Sequence, residues 1–136
     1  MDVSALKPAE LSTPSLAYLG DCVMELCVRT RLLQRGFSTS RDLNAEALRY
    51  VRASAQADAV ERILPILTEQ EAAVYRRGRN IGHTNVPKSA TVAQYRMATG
   101  LEVLFGYLYV TAQQSRIDEL FLLAYEPMEQ QENSKK

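Results

Sequence analysis

Two carboxylates in this 136-residue chain, Asp21 and Glu102, stand nearly alone inside strongly apolar segments. Asp21 follows Gly20 in "LAYLGDCVMELCVRTRLL", residues 16–33, where Leu16, Leu19, Val23, Leu26, Cys27 and Leu33 recur at helical spacing. Glu102 lies in "ATGLEVLFGYLYV", residues 98–110, with Gly106 four positions later, where a neighbouring backbone can approach closely. An ionised carboxylate is costly to bury, so each acid is paired, exposed or a ligand. Two apolar helices in a small bundle pack together. If their acids face one seam, they form a paired-carboxylate site whose hard oxygens suit Mg²⁺ or Mn²⁺. A buried ion pair or a solvent-facing acid is the alternative that the residues leave open. Glu25 reads as structural, because Arg29 sits at i+4 in the favourable order for a helical ion pair.

The rest of the composition narrows the chemistry. A single His and two Cys spaced five apart exclude a zinc site of the usual spacing and any scheme needing several histidines. Cys22 and Cys27 read as reduced core residues, and no glycine-flanked serine supports hydrolase chemistry of the serine–histidine type. The net charge is +0 but uneven: from Ala72 to Leu101 there is no acid, while Arg76, Arg77, Arg79, Lys88 and Arg96 are all positive. Such a block points to a local anionic partner. No stretch approaches the roughly 20 apolar residues of a membrane span. "MDVSALKPAELSTPS" lacks the pattern of a signal peptide, so a cytoplasmic protein is expected.

The elements that must position these residues read as helices throughout. Thr13-Pro14 marks an N-cap and first-turn proline for a helix running to Gly36. Ser38-Thr39-Ser40 caps a second, and a third starts after a bend near Ser54 and ends before Pro65. Thr68 and Glu71 have capping-box spacing for a fourth, which ends in the basic cluster. Residues 80–90, "NIGHTNVPKSA", read as a loop. A long helix from about Thr91 to Ala112 and a last one over "SRIDELFLLAY" follow. The expectation is all-α: a compact helical bundle of one domain over residues 1–126, and a polar, disordered tail over 127–136.

"LAYLGDCVMELCVRTRLL" resembles the ribonuclease III signature, an apolar stretch ending in Leu-Gly-Asp that continues as a helix. "LEVLFGYLYV" resembles the second acidic segment of that family. "RRGRN", "TNVPKSAT" and "YRMATGLEVLFGYL" are similar in order and spacing to Mini-III, the short branch without a double-stranded-RNA-binding domain. The likeness covers roughly residues 14–124. It implies a helical endonuclease domain acting as a homodimer, which cleaves double-stranded RNA with Mg²⁺ and leaves 5′-phosphate and 3′-hydroxyl ends. In Mini-III the associated role is maturation of the 23S ribosomal RNA precursor. Asp21 matches the signature aspartate and Glu102 the second catalytic acid. Ribonuclease III proper has further acids where this chain has Ala17 and Thr99, so a site poorer in carboxylates and richer in water is expected.

Under this reading, substrate binding falls to the basic block. Double-stranded RNA is recognised through phosphates and 2′-hydroxyls across its wide minor groove. Arg76, Arg77 and Arg79 are expected on phosphate, Asn80 and Thr84 on hydroxyls, and Lys88 and Arg96 extend the track. The alternative is a solvated helix end whose arginines favour the local dipole. "RASAQ", with Arg52, Ser54 and Gln56, is a second contact strip or simply a helix start, and His83 is an RNA contact or an inert surface residue. Two other classes stay open: a non-catalytic RNA-binding ribosome-assembly protein, and a helical protein-interaction module.

Overall fold

The computed structural model describes residues 2–81 and 90–134, the side chains of 133 and 134 excepted. Thr84, Lys88 and His83 lie outside the described residues. Six α-helices follow one another: α1 (Thr13–Gln34), α2 (Ser40–Val51), α3 (Ala53–Ile63), α4 (Glu69–Arg79), α5 (Val92–Val110) and α6 (Gln114–Ser134). Two short 3₁₀ turns, Pro8–Glu10 and Leu64–Ile66, complete the order, and no strand occurs among the described residues. No described helix is long and apolar enough to cross a membrane.

Helix α5 is the axis of the bundle, packing on α1, α3, α4 and α6. That position explains why it is apolar nearly all round: Leu101, Val103, Leu104, Phe105 and Leu108 are all fully buried. Tyr50, Ile63, Ile117, Leu120 and Tyr125 from α2, α3 and α6 close the core.

Local signals placed the helix ends well. Thr39 caps α2, and Thr68 closes the expected capping box with Glu71. A second box, Thr91 with Gln94, starts α5. Gly36 has φ +92°, a left-handed stop just past α1. The cap of α1 is Ser12 instead of Thr13, which is the first helical residue; the Ser12 hydroxyl accepts from the Ser15 N–H.

Three expectations give way. Leu26 and Leu33 are 65% and 63% exposed, so the inner face of α1 is Leu16, Gly20, Val23, Met24, Val28 and Leu32. Cys22 is exposed, leaving only Cys27 against the core, where burial pushes its thiol up to about 12. The polar tail from 127 does not begin where the composition suggests, because α6 continues through Pro127 to Ser134. Its reason is tertiary. Glu129 is buried and takes a bidentate hydrogen bond from Arg31 at 2.7–3.1 Å and another from the Tyr50 hydroxyl, while Met128 packs on the core. Arg49 and Arg35 also meet Glu132. These contacts outweigh the hydrogen bond that the proline removes from the helix.

Candidate active site

The site begins with two glycines. A Cβ on Gly20 would lie 1.7 Å from the Glu102 carbonyl oxygen, and one on Gly106 would lie 2.1 Å from that of Leu16. Helices α1 and α5 therefore cross backbone against backbone, at a distance only glycine allows. Asp21, next to Gly20, is thereby set beside Glu102. The Leu-Gly-Asp order has a steric cause: the glycine makes the contact and the aspartate uses it.

Both acids line a cleft of about 270 Å³, together with Met24, Glu25, Val51 and Gln56. Asp21 is exposed at its edge, and Glu102 sits deeper. Burial, and then the charge of Asp21, push the Glu102 carboxyl up to about 7. Two carboxylates that repel each other in a half-buried cleft are a natural seat for a cation, which would relieve both effects. Among the described residues, no three of His, Cys, Asp or Glu converge closely enough to hold an ion by themselves. That agrees with the absence of acids at Ala17 and Thr99. Hard oxygens from two carboxylates and an amide, with room for water, fit Mg²⁺ or Mn²⁺, which keep several waters when bound.

Glu25 pairs with Arg29 at 3.1 Å, as its spacing implied, yet its other side faces the cleft. Both partners are largely exposed, so the pair is worth only about 0.2–1 kcal/mol. Gln56 separates from the surface strip expected for "RASAQ". It is only 6% exposed and turns inward to the acids, whereas Arg52 is exposed and donates back to the Leu48 carbonyl. The signal was present in the spacing: Gln56, Ala59, Val60 and Ile63 share one helical face, and the last three are core. Ser54 is half-buried on the first turn of the same helix.

The basic residues form a different surface. Gly78 meets Gly100, which sets the end of α4 against the middle of α5. Arg76 and Arg77 are exposed on the last turn of α4, and Arg96 is exposed on α5. Arg79 is half-buried, with its guanidinium 6.0 Å from the Tyr75 ring centroid and its Nε donating to Asn80 Oδ1 at 3.3 Å. None of the ion pairs among described residues involves these four arginines, which leaves their charge available to an anion.

The family model "Ribonuclease III domain" matches residues 14–113, which makes this helical bundle a nuclease domain. A Mini-ribonuclease 3 of Symbiobacterium thermophilum is 49% identical over 117 residues, covering 86% of this chain and 90% of that protein. One from Desulfitobacterium hafniense is 46% identical over 123 residues, covering 89% and 74%. An X-ray structure of a Fusobacterium nucleatum protein superposes with TM-score 0.79 at 29% identity, covering 88% of this chain and 95% of that one. The chain belongs to the ribonuclease III family, in its Mini-ribonuclease 3 branch, and is an endoribonuclease of that type.

Proposed function

We propose that the chain cleaves double-stranded RNA with Mg²⁺, Mn²⁺ serving as a substitute, and works as a cytoplasmic homodimer that matures the ends of the 23S ribosomal RNA precursor. The alternative, a ribosome-assembly protein that binds RNA without cutting it, gives no role to an acid pair built at a glycine crossing. The observation that carries the catalytic reading is the meeting of Asp21 and Glu102 in one cleft. Asp21 and Glu102 are the residues that would hold the cation. When bound, it supplies an activated water and neutralises charge on the phosphate, giving 5′-phosphate and 3′-hydroxyl ends. The crossing beneath Asp21 fixes its backbone, which holds its carboxylate beside Glu102 at the mouth of the cleft. Glu102 surrenders its proton readily when positive charge arrives, because its ionised form is the one that gains most from it.

Arg76, Arg77, Arg79 and Arg96 bind phosphates, and Asn80 reaches sugar hydroxyls. Lys88 and Thr84, outside the described residues, extend this track, and Arg52 and Ser54 form a second contact beside the cleft mouth. The homodimer reading is supported by an apolar groove between α1 and α2, lined by Leu32, Leu33, Leu43, Ala47, Leu48 and Val51. Glu25 and Val51 line both groove and cleft, so a second copy seated there would bring two sites close together.

The test is cleavage of a long duplex and of a ribosomal RNA precursor, in Mg²⁺ and in EDTA. Asp21→Asn and Glu102→Gln keep shape and remove charge, so each is expected to lower cleavage at least about a hundredfold while RNA binding persists. Near-wild-type cleavage by either variant would overturn the site.

A further inference from the structure

We infer that Gln56 is the neutral oxygen ligand of the cation site, holding the cation or one of its waters through its side-chain carbonyl; this rests on the metal-dependent reading above. Gln56 is 94% buried by its 6% exposure, and its side chain forms no hydrogen bond with any described residue. The amide is nevertheless not sealed off: it keeps a face open to the cleft, where water or a ligand can reach it. A residue retained purely for packing would be apolar here, as are Ala59, Val60 and Ile63 on the same face of α3. The amide does not point into that core. It borders the cleft that Asp21 and Glu102 share, and it bonds to neither acid. Amide and carboxylates thus line one space from α3, α1 and α5, with a gap of about 270 Å³ between them. A hydrated cation requires that arrangement: oxygens that converge on it without contacting each other.

The other positions that could complete the set do not. Ala17 has no ligand atom, Thr99 donates its hydroxyl to the Tyr95 carbonyl at 3.0 Å and does not border the cleft, and Glu25, which does border it, is paired with Arg29. A carbonyl oxygen from α3 adds a hard ligand without adding a third negative charge beside two that already repel. Surface RNA contact, by contrast, would need the amide at the outer face with Arg52, where it is not.

The experiment measures Mn²⁺ binding to the metal-free protein without RNA, by the electron paramagnetic resonance signal of free Mn²⁺. Duplex binding in EDTA is followed in parallel. Gln56→Leu is expected to weaken Mn²⁺ binding by roughly tenfold to a hundredfold, with duplex binding in EDTA unchanged. Gln56→Glu is expected to tighten Mn²⁺ binding. Wild-type Mn²⁺ affinity in Gln56→Leu would overturn the inference, and a fall in duplex binding instead would make Gln56 an RNA contact. Should Gln56→Leu not fold by circular dichroism, Gln56→Glu decides alone: tighter Mn²⁺ binding supports the inference, and equal or weaker binding overturns it. Asp21→Asn runs alongside. Unchanged Mn²⁺ affinity there would sink the acid-pair reading itself, a failure distinct from that of Gln56.

Discussion

Glu102 carries a measurable signature of its surroundings. Its carboxyl is raised from 4.5 to about 7, chiefly by burial and secondly by Asp21. The folded metal-free protein therefore holds this proton over a range in which the unfolded chain has lost it. Stability falls as pH rises from about 4.5 to about 7, and above that the fold carries a charge it accommodates poorly. Glu102→Gln should raise the melting temperature in EDTA at pH 8, by the equivalent of about 3 kcal/mol, and change little at pH 4.5. Asp21→Asn should act in the same direction but more weakly, being the second cause. Melting curves at the two pH values check this; equal effects at both would deny the burial of Glu102. The isolation of both acids in apolar segments was legible in the sequence. The inward turn of Gln56 was legible only by extending the core face of α3 one turn backwards.

At the scale of elements, the crossing of α1 and α5 is the device that makes a site from two distant residues. Gly20→Ala places a methyl 1.7 Å from the Glu102 carbonyl, so the helices must separate. Overpacking of this kind costs about 1–3 kcal/mol. A displacement near 1 Å at the acids should lower cleavage about a hundredfold. Thermal melts and single-turnover rates would show both effects; a folded Gly20→Ala protein cleaving at wild-type rate would mean that the crossing does not position the acids. Caps and stops were readable locally, because a Thr68–Glu71 or Thr91–Gln94 box needs only neighbours in the chain. The continuation of α6 was not. Pro127 and the polar residues after it suggest an ending, and it is Arg31, Arg35 and Tyr50, remote in sequence, that give Glu129 a reason to be buried.

The whole molecule sets substrate binding and assembly. Acids lie in a cleft between α1, α3 and α5, while the exposed arginines occupy the α4–α5 surface, so binding and cutting should separate by mutation. Replacing Arg76, Arg77 and Arg79 together by Ala should weaken duplex binding and make its salt dependence shallower by roughly one unit of slope per lost phosphate contact. A binding series across salt concentrations reads this directly, and an unchanged slope would move the RNA track toward Arg52. The groove holding Leu33 and Leu48, 63% and 59% exposed, should be covered by a second copy in solution. Light scattering at micromolar concentration is expected to give twice the 15.3 kDa chain mass, and a fully active monomer would refute it.

Helix periodicity, capping residues, the solitary acids and the acid-free basic stretch are all properties of neighbouring residues, and the chain alone determined them. The sequence even carried both glycines, though nothing local says that Gly20 meets Glu102 or that Gly106 meets Leu16. Which helices cross, and at what distance, is decided by packing around α5, where the small residues of two remote segments meet. That packing brings Asp21, Glu102 and Gln56 to one cleft, because each helix must bury its apolar face and only the glycine seam lets α1 and α5 approach closely enough.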